Sequence, residues 1–206
     1  MFVSAEVSTA WSPEIVPASY PSPLDLQTIY GRAAALEVDL GCGDGAFLAS
    51  MAAPNPARNF LGIERLPGRV CSACKKITRA ELTNARVLRW ETSDVVRQLL
   101  PPGSVDVFHL MFPDPWPKRR HHRRRLFNAD FLASVHRALG PQGTLRITTD
   151  HLDYFKSIEN LAGRSPHFSL RHETEPAAGV STFGKRFHER GIAIHRLVLR
   201  KVSEVR

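Results

Sequence analysis

A single aspartate stands directly before a dense run of cationic residues, and this pairing has the clearest chemical content in the chain. Residues 112–125 read FPDPWPKRRHHRRR, so Asp114 lies between two prolines and precedes the basic run. The residues before it, 105–111, are rich in strand formers, which puts Asp114 just past the carboxyl end of a strand, where open α/β sheets hold their ligands. We expect a buried carboxylate beside a polyanion-binding surface. The alternative is a proline turn followed by a solvated basic helix start.

The positive charge of the chain is concentrated in that run. The formal net charge is +8, and six of these charges come from the run, which contains no acid and leaves +2 for the rest. A patch of this density attracts a polyphosphate or an anionic lipid, whereas scattered cations mainly aid solubility. Nucleic acid is the favoured partner and a membrane is not expected, because no apolar run approaches the roughly 18 residues of a spanning helix. The six cations are Lys118, Arg119, Arg120, Arg123, Arg124 and Arg125.

A glycine-rich loop follows the first predicted strand. Residues 39–45 read DLGCGDG, with Gly41 and Gly43 at its centre, and a helix is predicted from Ala46 to Ala53. Glycines let the backbone turn tightly and let a ligand approach it, and the amino terminus of a helix presents free N–H groups. The arrangement is typical of a nucleotide-type cofactor site.

Two nucleotide-type cofactors are compatible with this loop. Glu64 ends the next strand about 20 residues later, where it can accept hydrogen bonds from ribose hydroxyls. A dinucleotide site would read G-x-G-x-x-G/A, whereas this loop reads G-x-G-x-G and has Asp39 two residues before its first glycine. The acid favours S-adenosylmethionine, whose sulfonium and ammonium groups attract carboxylates that would repel a pyrophosphate. Glu37 shares a face of the same buried strand, and we expect it to have a structural partner rather than a ligand.

Composition bounds the class of protein. A chain of 206 residues with 43% hydrophobic content can bury one core without disulfides or metals. The cysteines, Cys42, Cys71 and Cys74, are odd in number and sparse, so free thiols are expected. The Cys71-x-x-Cys74 pair lacks a second Cys/His pair at suitable spacing and is expected to lie in a helix. Both features argue against a zinc site, and no metal is predicted. The first basic residue is Arg32, so no secretory signal is expected and the predicted location is the cytoplasm.

The pattern of the chain predicts one α/β domain behind a short leader. Residues 1–25 carry four prolines and several serines without a clear period, which indicates a flexible leader, and residues 26–206 form the domain. Short β-type runs alternate with helical segments, so βαβ units and a mainly parallel sheet are expected. The last two runs break the alternation and predict an antiparallel hairpin at the sheet edge. The predicted strands are Ala35–Leu40, Asn59–Glu64, Ala85–Trp90, Val105–Met111, Gly143–Thr149, Phe168–His172 and Ile192–Lys201.

One amphipathic helix is predicted after the basic run. From Leu126 to Leu139 apolar residues recur at spacings of three and four. Gly140 and Pro141 follow and would end the helix.

Four segments of the chain together resemble the bacterial tRNA (guanine-N7)-methyltransferases, over about residues 24–200. They are LEVDLGCGDG at 36–45, FLGIE at 60–64, FPDPWPK at 112–118 with its basic continuation, and TTD at 148–150. The resemblance implies a Rossmann-like class I methyltransferase fold, a mainly parallel seven-stranded sheet with an antiparallel C-terminal hairpin and helices on both faces. It also implies S-adenosylmethionine as cofactor, tRNA as partner, a monomer or homodimer, and methyl transfer to N7 of a guanine in the tRNA variable loop.

The resemblance further implies roles for individual residues, with two departures from the family pattern. Glu91 stands where the family has an aspartate, and residues 181–184, Ser-Thr-Phe-Gly, stand where it has a T-x-x-E element. Asp114 would be the catalytic residue. The predicted cofactor-binding residues are Asp39, Gly41, Gly43, Glu64, Glu91 and Asp114. The predicted substrate-binding residues are Lys118, Asp150, Arg119, Arg123, Arg124 and Ser181.

Methyl transfer to guanine N7 mainly demands alignment, because N7 already carries a lone pair. Asp114 and Asp150 are both expected just past neighbouring strands, where they can accept the N1–H and N2–H donors of the base and offset its developing positive charge. Trp116 has two interpretations, stacking on a base or packing beneath the turn. The arginines would contact phosphates and position the RNA without reading sequence.

Three other functions fit parts of the pattern. A class I methyltransferase acting on a protein or small molecule would share the glycine loop but leave the basic run without a role. A noncatalytic RNA-binding module with a relict cofactor fold would fit the altered element at 181–184. An NAD-dependent reductase would share the strand–loop–helix order.

Overall fold

The computed structural model describes residues 12–16, 22–174 and 190–202, and within them one mixed sheet is flanked by helices. The strands are β1 Glu14–Ile15, β2 Leu36–Leu40, β3 Asn59–Glu64, β4 Ala85–Arg89, β5 Val105–Met111, β6 Leu139–Thr149, β7 Phe168–His172 and β8 His195–Lys201. The helices are α1 Leu26–Tyr30, α2 Ala46–Ala52, α3 Pro67–Arg79, α4 Thr92–Asp94, α5 Ala129–Ala138 and α6 Leu152–Gly163. A π-helical turn spans Val95–Leu99 and a 3₁₀ helix spans Arg119–Arg124.

The sheet runs in the order β1-β4-β3-β2-β5-β6-β8-β7. Neighbouring strands are parallel in the part of the sheet that runs β1-β4-β3-β2-β5-β6. Strand β8 is antiparallel to both β6 and β7. The seven predicted strands are therefore confirmed, as is the antiparallel C-terminal pair, and β1 is an addition. Chain order reverses between β2 and β5, which creates a crevice at the carboxyl ends of these two strands.

Apolar residues bury both faces of the central strands. On one face Val38, Phe108 and Ile147 belong to a core that includes side chains of α5 and α6. On the other face Phe60 and Val87 pack with side chains of α2 and α3. Strands buried on both faces read as nearly continuous apolar runs, so the two buried acids of β2 stand out within its sequence LEVDL.

Both ends of the predicted helix Leu126–Leu139 differ from the structure, and β6 and β8 begin at Leu139 and His195 rather than at Gly143 and Ile192. Helix α5 begins at Ala129, not at Leu126, because the Asn128 side chain accepts a hydrogen bond from the Phe131 N–H and caps the helix. It ends at Ala138, and the predicted terminators Gly140 and Pro141 lie within β6, whose first residue Leu139 pairs with Val105.

Part of the predicted flexible leader is anchored to the sheet. Glu14 and Ile15 pair with Val87 and Leu88 of β4, and the Val87 N–H donates to the Pro13 carbonyl at 2.7 Å. Two backbone segments that meet in this way form an ordered edge. Among the described residues, none of the helices has the length and apolar character needed to cross a bilayer.

Candidate active site

Five acids that the sequence singles out follow or end five neighbouring parallel strands. Because the carboxyl ends of parallel strands meet at one edge of a sheet, the structure brings these acids to a single edge beside the β2–β5 crevice. They are Asp39 in β2, Glu64 at the end of β3, Glu91 after β4, Asp114 after β5 and Asp150 after β6. Ser181 lies outside the described residues.

Asp39 is buried, and one of its carboxylate oxygens lacks a hydrogen-bond partner among the described residues. Its residue is 3% exposed, and its Oδ2 atom has no hydrogen-bond partner among the described residues. Burial, together with the charge of Glu64, raises the pKa of the Asp39 carboxyl from 3.8 to about 7. An ionised carboxylate in this position would be stabilised by any cation that enters the crevice.

Glu64 is also buried, but its carboxylate is partly satisfied. The Leu66 N–H donates to its Oε1 at 2.8 Å, and the Arg69 guanidinium lies 3.8 Å from its Oε2. These contacts fix the carboxylate at the end of β3, where it remains able to accept further hydrogen bonds.

Three glycines of the loop have a positive φ, and at one of them close packing against α3 also requires glycine. Gly41 and Gly43 have φ of +76° and +56°, and a Cβ at either position would meet no atom of the described residues within 4 Å. Gly45 has φ of +75°, and a Cβ there would lie 2.6 Å from the Ala73 Cβ of α3. As far as the described residues go, the loop therefore leaves open space above Gly41 and Gly43, while Gly45 lets α3 approach closely.

Glu37 has the structural partners that the sequence predicted for it, although not their identities. Its Oε2 lies 2.7 Å from His109 Nε2, and its Oε1 lies 2.7 Å from Arg58 Nε. Burial alone would raise the pKa of Glu37, but the hydrogen bond and charge of His109 and the charge of Arg58 together hold it below its usual value. The buried His109 ring also packs edge-on against Phe47 at 5.1 Å between centroids.

Glu91, which follows β4, is exposed, unlike Asp39 and Glu64. Its side chain is 51% exposed and lies 3.8 Å from the Arg65 guanidinium. An exposed pair of this kind contributes little to stability, so the Glu91 carboxylate can exchange this contact for another at low cost.

Asp114 is exposed, so the expectation that it is buried is wrong. The chain leaves the sheet at Phe112, whose N–H still donates to the Thr148 carbonyl of β6 at 2.7 Å. Phe112 and Trp116 have φ of +52° and +42°, which non-glycine residues adopt rarely. Asp114 is therefore carried on a strained turn that projects beyond the strand ends.

Arg125 is buried beside the turn that carries Asp114 and is not a surface cation. The residue is 7% exposed, its Nε–H donates to the Pro115 carbonyl at 2.8 Å, and its Nη2–H donates to Asp153 Oδ2 at 3.1 Å. Its guanidinium also stacks on the Tyr154 ring at 4.6 Å. The sequence-based grouping of Arg125 with the phosphate-binding arginines is therefore wrong, because tertiary packing buries it.

Replacing Arg125 with glutamine is expected to lower the free energy of unfolding by about 1–3 kcal/mol, because it removes the hydrogen bond to the Pro115 carbonyl and the stacking of a buried guanidinium on the Tyr154 ring. Urea denaturation of parent and variant measures this difference. The matched control is Arg124→Gln, which should cost less than about 1 kcal/mol since it loses only a stacking contact. If Arg125→Gln were as stable as the parent and bound RNA more weakly, Arg125 would have to be counted among the RNA-binding cations instead.

The other cations of the run form an exposed surface, which we call the basic segment. Arg119–Arg124 form the 3₁₀ helix, and the exposed residues are Lys118, Arg119, Arg120, Arg123 and Arg124. Trp116 packs against this segment, with the Arg124 guanidinium 4.9 Å from its ring and His121 edge-on at 5.8 Å. Of the two interpretations of Trp116, the contacts within the chain support packing.

Asp150 completes the row of acids. It is half-buried and directly follows β6, the neighbour of β5, after which Asp114 lies. In the described ranges, no three histidine, cysteine, aspartate or glutamate side chains cluster in a way that could hold a metal ion. Cys71 and Cys74 lie in α3 as free thiols.

Known proteins resemble this chain in sequence and in fold. Residues 33–197 match a family described as "Putative methyltransferase". The chain is 32% identical over 195 residues to the tRNA (guanine-N(7)-)-methyltransferase of Geobacter metallireducens, covering 91% of this chain and 92% of that protein. It is 40% identical over 146 residues to the protein of that name from Chromobacterium violaceum, covering 70% and 65%. The structure of the 16S rRNA methyltransferase KamB matches with a TM-score of 0.61 at 18% identity, covering 87% of this chain and 94% of that one.

These similarities agree with the architecture. The match to KamB shows the class I methyltransferase fold, with its mainly parallel sheet and antiparallel last strands. The family match spans most of the chain, including the glycine loop, the strand-end acids and the basic segment. The chain belongs to the tRNA (guanine-N(7)-)-methyltransferase family of enzymes.

Proposed function

We propose that this protein transfers a methyl group from S-adenosylmethionine to N7 of a guanine in the variable loop of tRNA, at position 46. The observation that carries the proposal is the row of carboxylates along one sheet edge, which leads from a buried pair at the glycine loop to an exposed acid beside the basic segment. A tRNA substrate implies that the protein acts in the cytoplasm.

The residues around the glycine loop fit this cofactor. Asp39 offers a cationic group a buried carboxylate oxygen that has no partner among the described residues, and the space that these residues leave above Gly41 and Gly43 admits a ligand close to the backbone. Glu64 has a fixed carboxylate suited to ribose hydroxyls. A dinucleotide fits less well, since its pyrophosphate would face two buried acids. When bound, S-adenosylmethionine supplies a methyl group made electrophilic by its sulfonium.

Asp114 and Asp150 are placed to hold the base. They follow adjacent parallel strands, β5 and β6, whose last paired residues are Met111 and Thr148. Carboxylates there can accept the N1–H and N2–H donors of guanine, which turns N7 towards the cofactor site and offsets the positive charge that develops on the purine. Neither acid has to remove a proton before attack, so their role is to orient and stabilise.

The basic segment is placed to hold the RNA backbone. Lys118 lies four residues after Asp114 in the sequence. The arginines beyond it project from a 3₁₀ helix into solvent. Phosphate contacts from such a surface set the position and orientation of the RNA without reading its sequence. The cation nearest the turn, Lys118, is the one we assign to phosphate or base close to the target guanine.

Incorporation of labelled methyl into unmodified tRNA transcripts tests the proposed function. We expect 7-methylguanosine in the nuclease digest and its loss when the target guanine of the transcript is replaced with adenosine. Calorimetric titration with S-adenosylmethionine and with NAD is the accompanying control for cofactor class. A protein that binds S-adenosylmethionine but methylates no tRNA would overturn the assignment of substrate, and one that binds NAD instead would overturn both.

Neutralising the basic segment should flatten the salt dependence of tRNA binding. Replacing Arg119, Arg120 and Arg123 with glutamine removes three phosphate contacts, so the slope of log affinity against log salt should fall by about 2–2.7. Fluorescence anisotropy with labelled tRNA at several salt concentrations measures the slope. Affinity for S-adenosylmethionine should not change.

The matched control removes three exposed cations that lie away from the carboxyl ends of the strands. Lys75 and Arg79 are near the end of α3, and Arg164 follows α6. Glutamine at these three positions should leave the slope close to that of the parent. Equal slopes for the control and the basic-segment variant would show that the basic segment is only a solvated surface.

A further inference from the structure

Four arginines share one face of the sheet at the edge formed by β6, β8 and β7. In one row across these strands, Arg146 of β6 pairs with Val198 of β8, which pairs with Arg171 of β7. In the rows on either side of Val198, Arg196 pairs with Thr148 and Arg200 pairs with Thr144. Residues two apart on a strand point to the same face, so the four arginines lie together. We call Arg146, Arg171, Arg196 and Arg200 the arginine face.

The helices that pack on β6, β7 and β8 in the described structure are α5 and α6, and they lie on the face opposite the arginines. There the alternate residues are apolar and buried in the core that contains side chains of α5 and α6, whereas α2 and α3 pack over β3 and β4. The arginine face therefore carries no covering helix within the described residues. The apolar residues opposite it are Leu145, Ile147, Leu197 and Leu199.

The arginine face is polar at its surface and close-packed at its base. The Arg171 and Arg146 side chains are 73% and 36% exposed, and Arg200 is exposed. Val198 between them is only 6% exposed, as expected if the aliphatic stems of the arginines cover it. The guanidinium groups are thus held at a solvent-facing surface by a buried base.

One acid offsets part of this charge. Glu173 lies 2.9 Å from Arg171 and 3.6 Å from Arg146, while Arg196 donates to the Thr174 carbonyl at 3.5 Å. Within the described part of the chain, four arginines and one glutamate leave an excess of about three positive charges at pH 7. A surface with that excess attracts an extended polyanion.

The arginine face is continuous with the face that carries the buried acid of the cofactor crevice. The row of Arg146 continues through His109 of β5 to Asp39 of β2. At about 4.8 Å per strand, Arg146 lies about 10 Å from Asp39 and Arg171 about 19 Å from it. A polyanion that approaches the crevice along this face would meet arginines on the outer half of that distance, from Arg171 to Arg146.

Charge favours RNA over the other occupants of such a face. The segments of the chain outside the described residues carry too little negative charge to match this excess. Residues 1–11 contain one acid, residues 17–21 contain none, residues 175–189 contain two acids against one lysine and one arginine, and residues 203–206 contain one acid against one arginine. A second copy packed through a two-fold axis would bring the same arginines together, which is unfavourable. Phosphates on RNA match the excess charge without these costs.

We propose that the arginine face is a second RNA-binding surface, which holds backbone phosphates of the RNA whose target base enters the crevice. This inference rests on the proposed function, since it assigns a further part of the same tRNA substrate to the protein. It gives the basic segment, which follows β5, a partner surface on β6, β8 and β7, so that the RNA is held by two groups of arginines.

Removing the two most exposed arginines tests the surface. Arg171→Gln with Arg200→Gln should lower the slope of log tRNA affinity against log salt by about 1.4–1.8 and weaken binding about tenfold or more near 0.1 M salt. The matched control is Lys75→Gln with Arg79→Gln, which removes the same charge from α3 and should behave like the parent. Calorimetric affinity for S-adenosylmethionine should be unchanged in both variants, which shows that the fold is retained.

A variant with the opposite charge effect completes the test. Glu173→Gln removes the acid of the arginine face, so tRNA should bind about two- to threefold more tightly, within the range of a surface ion-pair contribution. A parent-like salt slope for the Arg171/Arg200 variant, or weaker binding by Glu173→Gln, would overturn the proposed surface. An unchanged slope with an altered sedimentation coefficient would assign the face to a contact between two copies instead.

The two proposals fail separately. Methyl transfer to tRNA by the parent measures the proposed function, and the salt slopes of the variants measure the arginine face. An active parent with unchanged slopes removes only the arginine face. A parent that binds no tRNA overturns both.

Discussion

Replacing Asp114 with asparagine is expected to slow methyl transfer to tRNA by about 10² to 10³ while leaving the fold intact. The amide keeps the shape of the side chain and can still touch the base. It loses the negative charge and one acceptor, so it cannot offset the positive charge that develops on the purine. The loss should therefore appear in the methyl-transfer step rather than in binding.

The exposure of Asp114 sharpens this expectation. In the protein alone the carboxylate is hydrated, so its charge has little effect on the stability of the fold. RNA bound over the turn would exclude that water and strengthen the interaction between the carboxylate and the base. The variant should thus unfold at the same urea concentration as the parent and still be slow.

Single-turnover methylation of unmodified tRNA, with cofactor and tRNA both saturating, isolates the step. Asp130→Asn is the matched control, since Asp130 is an exposed aspartate in the first turn of α5, and it should react at the parent rate. If Asp114→Asn kept more than about half of the parent rate, far outside the expected range, Asp114 would be a turn residue. The catalytic role would then pass to Asp150.

Asparagine at Asp39 is expected to weaken binding of S-adenosylmethionine at least about tenfold and also to stabilise the protein without cofactor. Both effects come from one buried carboxylate with an unpartnered oxygen. Binding needs the charge, whereas folding is penalised by it. A residue that costs stability in order to bind a ligand is typical of a functional site.

The sign of the pH dependence follows from the raised pKa. The Asp39 carboxyl has a pKa of about 7 in the folded protein against 3.8 as its usual value, so between these pH values the folded chain holds a proton that the unfolded chain has released. Stability contributed by this group therefore falls as pH rises from about 4 to about 7 and then stays low. The advantage of Asp39→Asn should be absent below about pH 4 and reach up to about 4 kcal/mol above pH 7.

Urea denaturation of parent and variant at pH 5 and pH 8 measures the stability effect, and calorimetry at pH 6 and pH 8 measures the cofactor effect. The parent should bind S-adenosylmethionine more tightly at pH 8, where the carboxylate is ionised, and the variant should show much less change. Asp44→Asn serves as control, because Asp44 lies in the same loop but is half-buried and paired with Lys76. Equal cofactor affinities for parent and Asp39→Asn would refute the assignment of Asp39.

Local patterns in the sequence determined the sheet and the order of the site. Periodicity and turn residues located the seven long strands, because strands buried on both faces read as apolar runs bounded by glycine and proline. The spacing of glycines and acids located the loop at the end of β2 and the carboxylates at the strand ends, because parallel strands always present their carboxyl ends at the same edge.

Only the tertiary structure decided which members of a local group are buried. Arg124 and Arg125 are neighbours in one basic run, yet Arg125 is buried, because α6 supplies Asp153 and Tyr154 from 28 and 29 residues further on. Asp114 is exposed because the turn that carries it extends beyond the strand ends.

The same limit applies to contacts and faces that join distant parts of the chain. Glu37 is paired with Arg58 and with His109, a residue 72 positions away, and no local period signals that pairing. The arginine face arises from the register of three strands far apart in sequence. The sequence by itself determined which segments form strands and helices, and long-range packing decided which of their charges face water, a partner side chain or a ligand.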